Sequence, residues 1–320
     1  MLRGTLLIAA VLALLLAPAA ASAASKPGVR TGGVSLVTPS TVTLNGRVDP
    51  NNAATTYFFQ LGTTSLYGVD TAAGPAGGGG NFVPVNAPVT GLAPATTYHY
   101  RVVAQNARGI TKGADRTFKT RVQPLGVTLA ATPNPVSPPG APVTLAGQLT
   151  GTNNAGRQVV LQSNPFPFSR PEGFLAEGNP QVTDAAGNFS FPVLSLPVTT
   201  QYRVLMPQKP EVVSPIVVVG AAVAVRTDTR KVARHRHSVS VRFRGSVSPP
   251  TDSLRVDIQK LRAGAWTTIA HTRAKHATAS KSSYRTRVRL FRSGQFRAVA
   301  EAAGQYVAGA GRVIDITVRR

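Results

Sequence analysis

From Gly33 onward the chain alternates apolar and polar residues in short runs. Val42, Leu44 and Val48 fall on one side of an extended segment while Thr41, Thr43, Asn45 and Arg47 fall on the other, the period of a half-buried strand. Asp49-Pro50 stops that run, because a proline cannot donate to a ladder, and Asn51-Asn52 continues the turn. In the next run Tyr57, Phe59 and Leu61 alternate with Phe58 and Gln60, leaving Phe58 as an apolar side chain on the polar side. Gly62, Gly68 and Gly77 to Gly80 mark the loops that follow. The same signature recurs to the end of the chain, and no stretch keeps a helical period. The expected fold is all-β, as three consecutive β-sandwich domains of about 100 residues each. Punctuation places them at residues 28–121, 124–220 and 221–320, after an N-terminal segment of residues 1–24.

One stretch is more specific. Gly91-Leu92-Ala93-Pro94-Ala95-Thr96-Thr97-Tyr98-His99-Tyr100 runs on through Arg101 to Asn106, then to Gly109 and Thr117-Phe118-Lys119-Thr120. It resembles the second half of a fibronectin type III domain, and the stretch Tyr57 to Gly68 looks like the variant common in exported bacterial proteins. The resemblance covers about Gly33 to Thr120 and implies a corner in which the hydroxyl of Tyr98 bonds back to the backbone. Tyr98, Tyr100, Val102 and Ala104 share one strand face, where a buried tyrosine needs a partner for its hydroxyl. The chain departs from the family in lacking an early-strand tryptophan, so Val42, Leu44, Tyr57 and Phe59 are expected to fill that core. It also lacks an Arg-Gly-Asp triplet, so integrin-type adhesion is not implied.

The second and third segments resemble each other. Val143-Thr144-Leu145-Ala146-Gly147-Gln148-Leu149 matches Val241-Arg242-Phe243-Arg244-Gly245-Ser246-Val247, with glycine at the same place. Arg157 to Gln162 matches Leu254 to Gln259, and Gln201-Tyr202-Arg203-Val204 matches Gln295-Phe296-Arg297-Ala298. The common order resembles that of bacterial immunoglobulin-like modules.

Met1 to Arg3 is a basic start, Leu6 to Leu16 is unbroken apolar sequence, and Ala21-Ser22-Ala23 offers small residues for cleavage. A cleaved secretory signal peptide and a secreted or cell-surface location are therefore expected. The absence of cysteine removes disulfides, thiolate metal sites and cysteine nucleophiles. The chain carries 35 basic and 12 acidic residues, a net charge of +23, which raises the question of a polyanionic partner.

That charge is uneven. Residues 221–320 hold 21 of the basic and 5 of the acidic residues, hence +16 of the total. In a strand from Tyr284, the side chains of Tyr284, Thr286, Val288 and Leu290 would point inward and Arg285, Arg287 and Arg289 outward. In a strand from Val239, the side chains of Val239, Val241 and Phe243 would point inward and Arg242 with Arg244 outward. Immunoglobulin-like order would pair those two strands and merge the five arginines into one outer face. Such a face suits phosphate or carboxylate on an anionic cell-envelope polymer or other polyanion, and equally suits plain solvation. Arg230, Lys231, Arg234, His235, Arg236 and His237 form a second basic cluster, read as a linker.

Catalytic constellations are not found. No His-Glu-x-x-His, Gly-x-Ser-x-Gly or phosphate-cradling loop occurs, and His235 with His237 lacks further ligands. Glu172 and Glu177 share a loop, Asp184 with Asn188 reads as a turn, and His99 as a surface residue. No enzyme activity, metal or cofactor is expected. Trp266, beside Thr268 and Ala270, reads as a core residue, or else as a sugar-stacking one. Phe166, Phe168 and Phe174, in and beside the Pro165 to Pro171 loop, either fold over the second core or present a patch. The expected function is that of a secreted, non-enzymatic binding or spacer protein; the alternative is an accessory carbohydrate-binding component of an exported hydrolytic system.

Overall fold

A computed structural model describes residues 23–169 and 173–318. The expected signal peptide lies outside the described residues except for its last two, and so does Glu172. No helix occurs among the described residues, so none is long and apolar enough to cross a membrane. The chain divides into two compact units, the first ending at Gln123 and the second beginning at Pro124.

The first unit contains β1 (Gly28–Ser35), β2 (Val42–Asp49), β3 (Thr55–Gly62), β4 (Val69–Asp70), β5 (Gly74–Gly77), β6 (Val83–Val89), β7 (Thr97–Asn106), β8 (Gly109–Lys112) and β9 (Arg116–Lys119). They form a sheet β1-β2-β6 and a sheet β4-β3-β7-β8, with β5 also on β3 and β9 on β7, all antiparallel. This is the three-on-four strand order of a fibronectin-like sandwich. The inward residues of β2 meet those of β3 and β7: Val42, Leu44, Val48, Phe59, Tyr100 and Val102 are all buried, and Tyr57 packs at their margin. Burying a side chain of that size contributes about 1.5 to 3 kcal/mol. The tyrosine corner forms as the resemblance implies: the Ala93 amide donates to the Tyr98 hydroxyl at 2.9 Å, and the Tyr98 ring stacks on Phe118.

The second unit holds two sandwich cores. The first is built on β10 (Gly126–Val127), β11 (Ala130–Thr132), β12 (Val143–Thr150), β13 (Gln158–Pro165), β14 (Leu175–Ala176), β15 (Gln181–Val182), β16 (Asn188–Val193), β17 (Thr200–Met206), β18 (Val212–Val213) and β19 (Val217–Val219). Here β12 lies between β16 and the pair β10 and β11, facing a sheet of β14-β13-β17-β18. The second is built on β20 (Ala224–His235), β21 (Ser238–Ser248), β22 (Arg255–Arg262), β23 (Ala265–Arg273), β24 (Lys275–Thr278), β25 (Lys281–Leu290), β26 (Gly294–Ala300), β27 (Gly309–Ala310) and β28 (Ile314–Ile316). Its sheets run β20-β21-β25-β24 and β23-β22-β26-β27, and Phe243 faces Phe296 across the core at 6.1 Å.

The two cores of this unit share a seam. Tyr306 packs against both, and the Val307 amide donates to the Ala221 carbonyl at 2.9 Å while its own carbonyl accepts from Val223 at 3.1 Å. The Thr199 amide donates to the Gln305 carbonyl at 3.0 Å.

The internal likeness reaches the first sandwich too. Val42-Thr43-Leu44-Asn45-Gly46 repeats the Val-x-apolar-x-Gly spacing of β12 and β21. At Gly245 the reason is steric: a Cβ there would collide with the Arg226 carbonyl and the Tyr284 ring. At Gly147 it would strike the Thr128 carbonyl and Phe189.

A cationic sheet face as the candidate functional site

The alternation on β21 and β25 is obeyed residue by residue. Val239, Val241, Phe243, Tyr284, Val288 and Leu290 are buried, Arg242 is half-buried, and Arg244, Arg285, Arg287 and Arg289 are exposed. The strands pair antiparallel in a register that sets Arg242 opposite Arg287, Arg244 opposite Arg285, and Ser240 opposite Arg289. All five expected arginines thus stand on one outer face.

The adjoining strand extends it. The cluster Arg230 to His237 is not a linker: Arg230 to His235 belong to β20, and Arg230 lies opposite Arg242. Val225 and Thr227 of β20 are buried beside exposed Arg226, Asp228 and Arg230, so a strand pattern runs beneath the charge. Arg230, Arg242 and Arg287 therefore form one row across three strands. Asp228, Arg244 and Arg285 form the next, and Arg226, Ser246, Ser283 and Lys275 the one after it. A concavity of about 990 Å³ lies here, lined among others by Arg226, Arg244, Lys275 and Arg285.

Asp228 is the one carboxylate among the described residues lining that concavity, and it pairs with Arg312 at 3.5 Å. Arg242, Arg244, Arg285 and Arg287 make no side-chain hydrogen bond or ion pair with other described residues. Arg289 differs, its Nε donating to the Ser238 hydroxyl at 2.8 Å. Beneath the face, the Tyr284 hydroxyl shares a 2.6 Å hydrogen bond with Thr227 and donates to the Arg226 carbonyl at 3.0 Å. Burial pushes its pKa up to about 12.

Arginines on the other sheets are used differently. In the first sandwich Arg101 of β7 donates through Nε to Gln60 of β3 at 2.8 Å and lies 4.5 Å over the Tyr67 ring. In the next, Arg203 donates to Gln162 at 2.8 Å and lies 4.3 Å over Phe174. In the last, Arg297 donates to Gln259 at 3.0 Å and lies 4.3 Å over Trp266. Each pair sits directly opposite in the ladder, so each sandwich carries the same glutamine, arginine and aromatic stack. The stacks are cation–π contacts that hold the loop residues Tyr67 and Phe174, and Trp266 of β23, against the sheet.

Trp266 is consequently half-buried on an outer face and not in the core, because the Arg297 guanidinium supplies its packing partner. Of the two readings of the Pro165 loop, Phe166 follows the exposed one: Phe166 and Phe168 pack edge to face on each other at 5.6 Å, outside the apolar core, and Phe166 is exposed. Asp184 is a turn residue, accepting from the Ala186 and Asn188 amides at 2.8 Å. His99 lies on the surface but is tied to Asp115 at 2.8 Å, and the Tyr67 hydroxyl donates to the same carboxylate at 2.8 Å. The His99 hydrogen bond holds the Asp115 carboxyl below the usual carboxylate range. No group of three potential metal ligands occurs among the described residues.

No family model matches the chain, and no curated protein matches it. Among solved structures it is similar to a tetra-tandem repeat from the extending region of a large adhesion protein, at 14% identity and a TM-score of 0.29, covering 92% of this chain and 75% of that one. It is also similar to the FN1-FN3 domains of chicken CNTN1, at 14% identity and a TM-score of 0.24, covering 93% of this chain and 100% of that one.

Proposed function

We propose that this is a secreted or surface-associated, non-enzymatic modular binding or spacer protein whose last sandwich holds an anionic cell-envelope polymer on the face of β20, β21 and β25. One observation carries the reading: Arg242, Arg244, Arg285 and Arg287 share one face without an internal partner among the described residues, although like charges stand opposite one another. Juxtaposed like charges cost about a few tenths of a kcal/mol per pair at physiological salt, and bound anion relieves that cost. Guanidinium forks match phosphate and carboxylate oxygens, and the rows give an extended polymer repeated points of attachment.

The experiment is retention of the full chain on immobilised polyphosphate over a salt series. Retention at low salt, steeply lost as salt rises and lost at all salts on replacing Arg242, Arg285 and Arg287 by Ser, is the expected result. Equal retention of that variant sinks the reading.

A further inference from the structure

A second basic surface adjoins that face and shares Arg289 with it. At the end of the last sandwich where β25 turns into β26, a concavity of about 550 Å³ opens between the sheets. Its walls combine two chemistries. Val288 and Leu290 are buried core residues and Ile269 packs on the same core, so they present an apolar floor. Lys260, Arg262, Arg289 and Arg292 supply cations, and no carboxylate lines the concavity among the described residues. Phe291, in the turn between the strands, is 64% exposed, with the Arg289 guanidinium 5.5 Å from its ring centre.

The cations are crowded. Lys260 donates to the Arg292 carbonyl at 3.0 Å and lies over the Phe296 ring. Its pKa is shifted below the ordinary lysine value by burial and by the charges of Arg262 and Arg292. The end of β20 and the turn after it lie at the same end, because Val239 pairs with both Arg234 and Leu290, and they add exposed Arg234 and Arg236.

A dissolved polyphosphate, which carries no apolar or aromatic group, has no use for the exposed Phe291 ring or the apolar floor. A bilayer interface has use for both, since acidic head groups attract the cations and the acyl boundary accepts the ring. We propose that this end of the last sandwich docks on a lipid bilayer bearing anionic phosphate head groups, with Phe291 entering the interface and Lys260, Arg262, Arg289 and Arg292 meeting the phosphates. The site shares Arg289 with the edge of the sheet face, but its Phe291, Lys260, Arg262 and Arg292 lie off that face, and it stands without Arg242, Arg285 and Arg287.

The test is co-sedimentation of the full chain with vesicles of phosphatidylglycerol and phosphatidylcholine, and with phosphatidylcholine alone. Binding to the mixed vesicles only is expected. Phe291→Ser, which leaves every charge in place, should weaken it by about tenfold, the loss of one partly buried aromatic ring, while leaving polyphosphate retention unchanged. Phe291→Trp should bind with a blue-shifted emission. The variant with Ser at Arg242, Arg285 and Arg287 should still sediment with the vesicles. Vesicle binding by Phe291→Ser equal to that of the unaltered chain, or binding lost only in the sheet-face variant, overturns the proposal and assigns the vesicle affinity to the sheet. Loss of polyphosphate retention alone leaves this docking intact and bears only on the sheet face.

Discussion

Arg242 of β21 stands directly opposite Arg287 of β25, and on its other side stands opposite Arg230 of β20. A sheet built for stability alone would alternate the signs of such neighbours, since opposite charges across strands attract and like charges repel. Replacing Arg287 with Glu should therefore raise the stability of the second unit by about 1 kcal/mol at low salt, read by urea unfolding, and abolish polyphosphate retention. A gain in stability with retention unchanged would leave the arginines as mere solvation.

The salt dependence counts the contacts. With single-stranded oligonucleotide as a calibrated polyanion, the slope of log K against log salt should shrink by about 0.7 for each arginine contact removed. Changing Arg285 alone, then Arg285 with Arg287, gives two steps if both guanidinium groups meet anion. A slope indifferent to both changes removes them from the interface.

Gly245 allows β20, β21 and β25 to approach. Gly245→Ala drives a methyl group into the Arg226 carbonyl and the Tyr284 ring, and should cost about 1 to 3 kcal/mol. The loss should appear as a lower urea midpoint with an unchanged slope. A midpoint like that of the unaltered chain would mean the strands can separate cheaply there.

Tyr98→Phe removes the hydroxyl that accepts from the Ala93 amide. Stability of the first unit should fall by about 1 kcal/mol, the net worth of such a bond, with polyphosphate retention untouched. A larger effect on retention than on unfolding would contradict this assignment.

Alkaline pH should weaken the second unit. Burial raises Tyr284 to about 12 and raises Tyr202 further, above the value of about 10 for an exposed phenol. Both side chains are neutral when folded, so their contribution is fully present below about pH 10 and is lost as pH climbs towards 12. Stability measured from pH 8 to 12 should be level and then fall, and Tyr284→Phe should make the fall shallower. An identical alkaline profile in that variant would exclude Tyr284 as a cause.

Much of this was legible in the sequence, for a physical reason. The period of two in Tyr284 to Leu290 and in Val239 to Arg244 fixes inward and outward sides without knowledge of the neighbours. Density of charge hid β20, because the cluster Arg230 to His237 imitates a solvated segment, although Val225 and Thr227 keep the alternation beneath it. Trp266 was misread because its small sequence neighbours suggested burial, whereas its partner is Arg297 on a strand two away. The signal that could have found it was the recurrence of glutamine and arginine at matched strand positions in Gln60 and Arg101, Gln162 and Arg203, Gln259 and Arg297. The Phe166 and Phe168 pair had no such echo, and its self-contained packing follows from geometry that no spacing reveals.

The seam at Tyr306 and Val307 has a mechanical meaning. A tether with free joints would let a load swing its terminal module, whereas here backbone bonds on both sides of Val307 and the Tyr306 ring against both cores join the last two modules beyond the covalent chain. Were the far module to hold a polymer as proposed, load on it would reach the neighbouring core through these backbone bonds as well as through the covalent chain.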